Sequence, residues 1–205
     1  MRTSTENVKR SPGRPRTFNS DQVLERVRRV FMEKGFSAAS LDDLAAAAGL
    51  NRPSLYAAFG NKEQLYIHVL RHYGARILTA LNGVLRDAGL IEQRIRRVFT
   101  GAINLYTAPP HPPGCLIVGT AAAESPTHPD IASAARDLID TMEQALERAF
   151  GEAVANREIG AEPSPATRAQ LVGAVLHTLA FRARIGVEAD VLTAFALSMI
   201  PVICR

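Results

Sequence analysis

Apolar side chains recur at helical spacing along this chain, and glycines at 35, 49 and 60 cut the first such run into three short pieces. No segment alternates apolar and polar residues in steps of two between turn signals, so the pattern offers no strand and predicts an all-α fold. In the first piece Val23, Leu24, Val27, Val30 and Phe31 share one helix face. Ser20 is expected to cap its start and Gly35 to end it. The second helix starts at Ser40, whose hydroxyl can accept the amide of Asp43. The Asp42 and Asp43 carboxylates suit the positive end of the helix dipole. It covers Leu41–Ala48 and stops at Gly49. Asn51 caps the third helix, with Arg52 and Pro53 in its first turn, and this one runs to about Phe59. Gly60 breaks it, and Asn61 caps a long helix from about Lys62.

The remainder also reads as helix. The spacing predicts Ile91–Tyr106, a rigid proline break at 109–113, a short apolar stretch at 115–123 and a long amphipathic helix at 129–156. Ser164 and Pro165 look like the start of a helix reaching Ile185, stopped by Gly186, and a last helix spans roughly 188–202. The organisation expected is a flexible basic arm (1–18), a helix-turn-helix domain (19–66) and a helical effector-binding and dimerisation domain (67–205). Pro12, Gly13 and Pro15 forbid a helix in the arm.

Charge separates these parts. Residues 1–68 hold 11 lysines and arginines against 7 acidic residues, whereas residues 69–205 hold 13 of each. The whole net charge of +4 therefore belongs to the first third, which points to nucleic acid or another acidic surface as that third's partner. The longest apolar candidate for a membrane span, 191–204, falls short of about 18 residues and contains Pro201. The first residues lack the apolar core of a secretory signal, and Cys115 and Cys204 form no spaced framework, so a cytoplasmic protein is expected.

Two short helices joined through Gly49, Leu50 and Asn51 have the size and punctuation of a helix-turn-helix, whose second helix enters the major groove. That helix needs apolar residues behind and small or polar ones in front. Leu55 and Phe59 lie four apart and face inward. Arg52, Ser54, Ala57 and Ala58 are left for the groove, and the Tyr56 hydroxyl suits a phosphate oxygen. Lys62 sits where its charge and the free amides of a helix start both favour phosphate.

The stretch 13–66 resembles the DNA-binding domain of the TetR/AcrR transcriptional repressors. The matching pieces are GRPR at 13–16, FMEKGF at 31–36, SLDDLAAAAGL at 40–50 and NRPSLYAAFGNKEQLY at 51–66. The resemblance implies that Ser40, Tyr56 and Lys62 hold phosphates, that Arg52 and Ser54 reach bases, and that Arg14 and Arg16 belong to an arm that enters the minor groove in some members. Ala57 and Ala58 depart from the aromatic or histidine often found at their positions. Farther on, GCLIVGTAAAE at 114–124 is similar to a segment of one broad subgroup. The implied whole is a homodimer joined through its last two helices. It binds a near-palindromic operator in double-stranded DNA and is released when a small-molecule effector enters a cavity among the middle helices and moves the long helix near Lys62.

Other readings of single residues stand beside this one. Phe99, Tyr106, Cys115, Met142 and His177 are candidates to line the effector pocket, and core packing is the plain alternative for each. His68 and His72 stand four apart and could share a metal, but the glutamate of an HExxH motif is missing. Residues 114–120 look superficially like a phosphate loop without its lysine. Cys115 could sense oxidants at a helix start, or could be a small buried apolar residue. The rivals to a regulator are therefore an all-helical enzyme or metal protein using His68, His72, His177 or Cys115, and an architectural DNA-binding protein without an effector. Neither a cofactor nor a metal is expected, and no nucleophile or carboxylate–histidine motif of an enzyme is found.

Overall fold

A computed structural model describes residues 18–108 and 114–205, and the regular elements among them are all helical. Helices α1 (Ser20–Ala38), α2 (Leu41–Ala48) and α3 (Arg52–Phe59) form the N-terminal unit. Helix α4 (Lys62–Arg86) leads out of it into α5 (Ile91–Tyr106), then a π-helical turn (Ile117–Ala121) that runs into the short α6 (Ala122–Glu124). Helices α7 (Pro129–Ala155), α8 (Pro165–Arg184) and α9 (Ala189–Ile203) complete the chain. The expected bounds of α2, α3 and α5 agree with these. Arg14 and Arg16 lie outside the described residues.

One expectation at α1 needs correction. Its N-cap is Asn19, not Ser20: the Asn19 side chain accepts the Gln22 amide at 3.1 Å, so the helix begins one residue earlier. Gly35 breaks the helix as its position predicts, and a further short turn follows the kink. The chain takes φ 79° there, a left-handed value that favours glycine, and then continues to Ala38. The extra turn buries Phe36.

Helix α4 is the common element. It packs on α1 near its start and on α7 farther along, while α7 lies against α8, and α5 packs on α8 and α9. Gly74 permits the close approach of α4 to α7, since a Cβ there would stand 2.7 Å from both methyl carbons of Leu138. One continuous apolar core results, running from Val23 and Phe31 through Leu65, Val69 and Leu70 to Phe99, Phe150 and Leu179.

Polar groups fasten the two ends of this bundle. Arg168 is fully buried, and its guanidinium donates to the carbonyls of Gly160 (2.9 Å), Glu162 (3.0 Å) and Arg205 (2.7 Å). It thereby ties the loop before α8 to the chain after α9. Arg94 donates to the carbonyl of Leu85 and pairs with Glu158, which also accepts the Ile91 amide at the start of α5. At the other end, the π-turn and α6 meet the N-terminal unit. Arg184 Nη2 donates to the Met32 carbonyl at 3.0 Å, and Ser37 Oγ donates to the Glu124 carboxylate at 3.1 Å. The buried Tyr66 ring meets Phe31 and Phe36 edge-on, with centroids 4.9 and 5.2 Å away, and its hydroxyl bonds Thr120 Oγ1 at 2.5 Å.

The direction of that last bond follows from its neighbour. Thr120 Oγ1 donates its proton to the Leu116 carbonyl at 2.8 Å, so Tyr66 is the donor and Thr120 the acceptor. Burial holds the Tyr66 hydroxyl well above its ordinary pKa, which keeps that proton in place. An unanswered buried donor costs more than a vacant lone pair on a hydroxyl. Thr120→Val should therefore cost about 2–3 kcal/mol of unfolding free energy and Tyr66→Phe about 1 kcal/mol. Urea unfolding of the two variants checks the order, and an equal or larger loss for Tyr66→Phe would reverse the assigned direction.

Candidate nucleic-acid interface

The unit α2–turn–α3 is built from local hydrogen bonds. Ser40 accepts the Asp43 amide at 3.1 Å, and the Asp43 carboxylate answers the Ser40 amide, a reciprocal box that closes the start of α2. Lys34 reaches across from α1 to Asp43 at 2.7 Å. Together Lys34 and the Ser40 hydroxyl and amide pull the Asp43 carboxyl down to about 2. At the far end Gly49 sits in the left-handed region (φ 66°, ψ 29°), and the amides of Gly49 and Leu50 bond back to Ala46 and Ala45. The chain then reverses into Asn51, whose side chain accepts the Ser54 amide at 2.8 Å and starts α3.

Helix α3 has two faces. Leu55 and Phe59 are buried, with the Phe59 ring against Phe18 and His68. Arg52, Ser54, Tyr56, Ala57 and Ala58 are exposed, Tyr56 by 42% of its surface. Arg52 is engaged: its Nε donates to Asp42 Oδ1 at 2.5 Å and its Nη2 to Asp42 Oδ2. This contact holds the Asp42 carboxyl below its usual range and the Arg52 guanidinium above its own.

Two of the phosphate candidates, Ser40 and Lys62, also have partners. The Ser40 hydroxyl donates to Asp43 Oδ2 at 2.7 Å. Lys62 Nζ donates to the Ser37 carbonyl at 3.1 Å and lies 4.8 Å from the centre of the Phe36 ring. Partial burial lowers its pKa, with the Glu124 charge acting the other way. Lys62 thus stands at the junction where α1 meets α6.

Of the pocket candidates, Tyr106, Cys115, Met142 and His177 line one cavity together with Tyr73, Ile117 and Leu138. Phe99 is fully buried in the core and does not line it. The free space is only about 30 Å³, room for a water and far below the ~300–1,000 Å³ of a ligand pocket. Cys115 is buried and accepts a contact from the Tyr73 hydroxyl at 3.6 Å. Both Tyr73 and Tyr106 are raised well above the ordinary tyrosine value by burial, with Cys115 adding to it. His177 lines the cavity while remaining exposed; desolvation lowers its pKa and Glu143 opposes the shift. His68 and His72 turn to different neighbours, His68 to Phe59 and His72 to Asp21 at 3.6 Å. Among the described residues no three histidines, cysteines or carboxylates are grouped to hold a metal ion. No described helix is long and apolar enough to cross a membrane.

Residues 23–69 match the family model for bacterial regulatory proteins of the tetR family. Residues 92–198 match the model for the tetracyclin repressor-like C-terminal domain. The chain belongs to the TetR family. Among curated relatives, the HTH-type transcriptional repressor ComR of Escherichia coli (strain K12) is 29% identical over 94% of this chain and 92% of its own. The HTH-type transcriptional repressor BdcR of the same strain is 34% identical over 62% of this chain and 65% of its own. Among solved structures, a cysteine mutant of the TetR family regulator CifR, complexed with a 26-bp double-strand operator DNA, superposes with a TM-score of 0.84. It is 27% identical, over 92% of this chain and 98% of that one.

Within this TetR fold, two features of the interface escape a motif reading. Asp42 was legible as a dipole residue, but its pairing with Arg52 spans ten positions and depends on the turn angle. The attachment of Lys62 to Ser37 spans twenty-five. Asp43 yields a prediction. Its carboxyl is depressed in the folded state, so its stabilisation is complete above the ordinary carboxyl value near 4 and is lost as pH falls through about 2. Thermal midpoints of wild type and Asp43→Asn should differ at pH 5–7, and the gap should close between about pH 4 and pH 2. A gap that does not change with pH would show that the ion pair and the box contribute nothing through charge.

Proposed function

We propose that this chain is a dimeric transcriptional repressor that binds a near-palindromic operator and is released by a small-molecule effector. The observation that carries the reading is α3: capped by Asn51 and anchored inward by Leu55 and Phe59, it turns Arg52, Ser54 and Tyr56 outward together. The first residues of a recognition helix are the ones that meet base edges. Arg52 and Ser54 then read bases, Ser40, Tyr56 and Lys62 hold phosphates, and Arg14 and Arg16 belong to an arm that enters the minor groove. The chain acts in the cytoplasm, where the chromosome is, and has no catalysis of its own.

The dimer and the effector have structural support of a different kind. Phe181, Ile185, Val191 and Val202 are exposed by about half or more and lie on or beside α8 and α9. A partner's equivalent helices would cover them and complete a four-helix interface. The cavity lined by Tyr106, Cys115, Met142 and His177 is nearly filled. An effector must enlarge it, and it shifts the protein only as far as it prefers the enlarged state. The π-turn connects that change to the DNA-binding unit, because Ile117 lines the cavity and Thr120 holds Tyr66.

The test is binding of the purified protein to DNA from immediately upstream of its own gene and to random DNA, at two salt concentrations. Arg52→Ala should lose about 1–3 kcal/mol on the preferred DNA and relax the choice of sequence. Lys62→Ala should weaken both DNAs alike and reduce the salt slope by about 1. Equal losses on both DNAs for both variants would overturn this division of roles.

A further inference from the structure

Arg52 does not wave freely at the start of α3. The contact with Asp42 uses the Nε–H and one Nη2–H, the side edge of the guanidinium. Three donors stay free: both on Nη1 and the second on Nη2. Two of them, one on each Nη, form the end fork, the edge that can meet two acceptors held side by side. In the major groove such a pair is O6 and N7 of guanine, whereas adenine places a donor beside its N7. The two side chains are far from buried, with Arg52 exposed by 54% and Asp42 by 73%. An ion pair that open to water adds little to stability. What it does fix is rotation of a long, flexible side chain.

Charge makes the same point from the other side. A carboxylate beside the reading face repels the phosphates of any duplex and weakens binding to all sequences alike. Asp42 is therefore a liability for affinity, and its return is geometric. We propose that Asp42 is a specificity-determining residue: it grips Arg52 by the Nε–Nη2 edge, so that the Nη1–Nη2 end selects a guanine in each half of the operator. This rests on the reading of α3 as a recognition helix.

The experiment starts with a pool of duplexes of random sequence, selected on the wild-type dimer. Failure to enrich any sequence would sink the DNA-reading interpretation itself, before any variant is made. With the enriched duplex in hand, each base pair is changed in turn, and binding is measured for wild type, Asp42→Ala, Asp42→Asn, Arg52→Ala and the double variant Asp42→Ala/Arg52→Ala. The wild type should discriminate about tenfold or more at one G·C pair per half-site. Asp42→Ala should cut that discrimination about fivefold or more at that pair alone, while binding to random DNA grows stronger. Asp42→Asn keeps an acceptor for Nε and should fall between. Once Arg52 is absent, removing Asp42 should change nothing at that pair. The proposal is overturned if no G·C pair is singled out, if Asp42→Ala strengthens all duplexes by one common factor, or if Asp42→Ala acts equally with Arg52 already gone.

Discussion

The hydroxyl of Tyr66 is buried and donates to Thr120, and most of the architecture refers back to that contact. A buried donor must be answered. The answer here comes from the π-turn, fifty-four positions later in the chain. The ring that carries the hydroxyl is wedged against Phe31 and Phe36. One side chain therefore sets the distance between the end of α1, the start of α4 and the turn that borders the cavity. The N-terminal unit is about forty residues, a size at which a domain rarely stabilises itself. Its core closes on α4 and the π-turn, so the N-terminal unit and the C-terminal helices share a single apolar interior.

Local chemistry was the legible part. The hydroxyl of Ser40, the amide of Asn51 and the missing side chain of Gly49 act within three or four residues, and α2 and α3 begin and end where those residues place them. Asn19 and Ser20 are both good caps, and spacing alone does not choose between neighbours. Gly35 was legible as a break, but the short turn after it was not, because what resumes the helix is the burial of Phe36 against Tyr66. Contacts across long separations were not legible. Nothing near Arg168 in sequence signals burial, yet it sits in the interior because three carbonyls converge on it from the loop before α8 and the chain after α9. Likewise Phe99 and Tyr106 look alike as apolar helix residues, and the cavity admits only Tyr106.

The face that carries α2 and α3 is not uniformly basic. Asp42 and Asp43 stand in the first turn of α2, where the helix dipole favours them, and each has a cation from a different helix, Arg52 and Lys34. Lys62 and Glu124 stand near one another at the junction with α6, and Ser37 touches both. Acidic residues on this surface thus serve as anchors for basic ones. The positive excess of the first third is arranged by its counter-charges as much as by its sum.

Helix α4 has one more consequence, of a purely mechanical kind. Its 25 residues make a rod of about 37 Å at about 1.5 Å per residue. Pivoted about its far end by about five degrees, a rod of that length swings its tip by roughly 3 Å. In a two-fold pair the tips swing in opposite directions, so the span between the reading heads changes by roughly 6 Å, nearly two steps of a duplex that rises about 3.4 Å per base pair. A helix of this length is thus a lever: a small angle at one end becomes an error of register at the other.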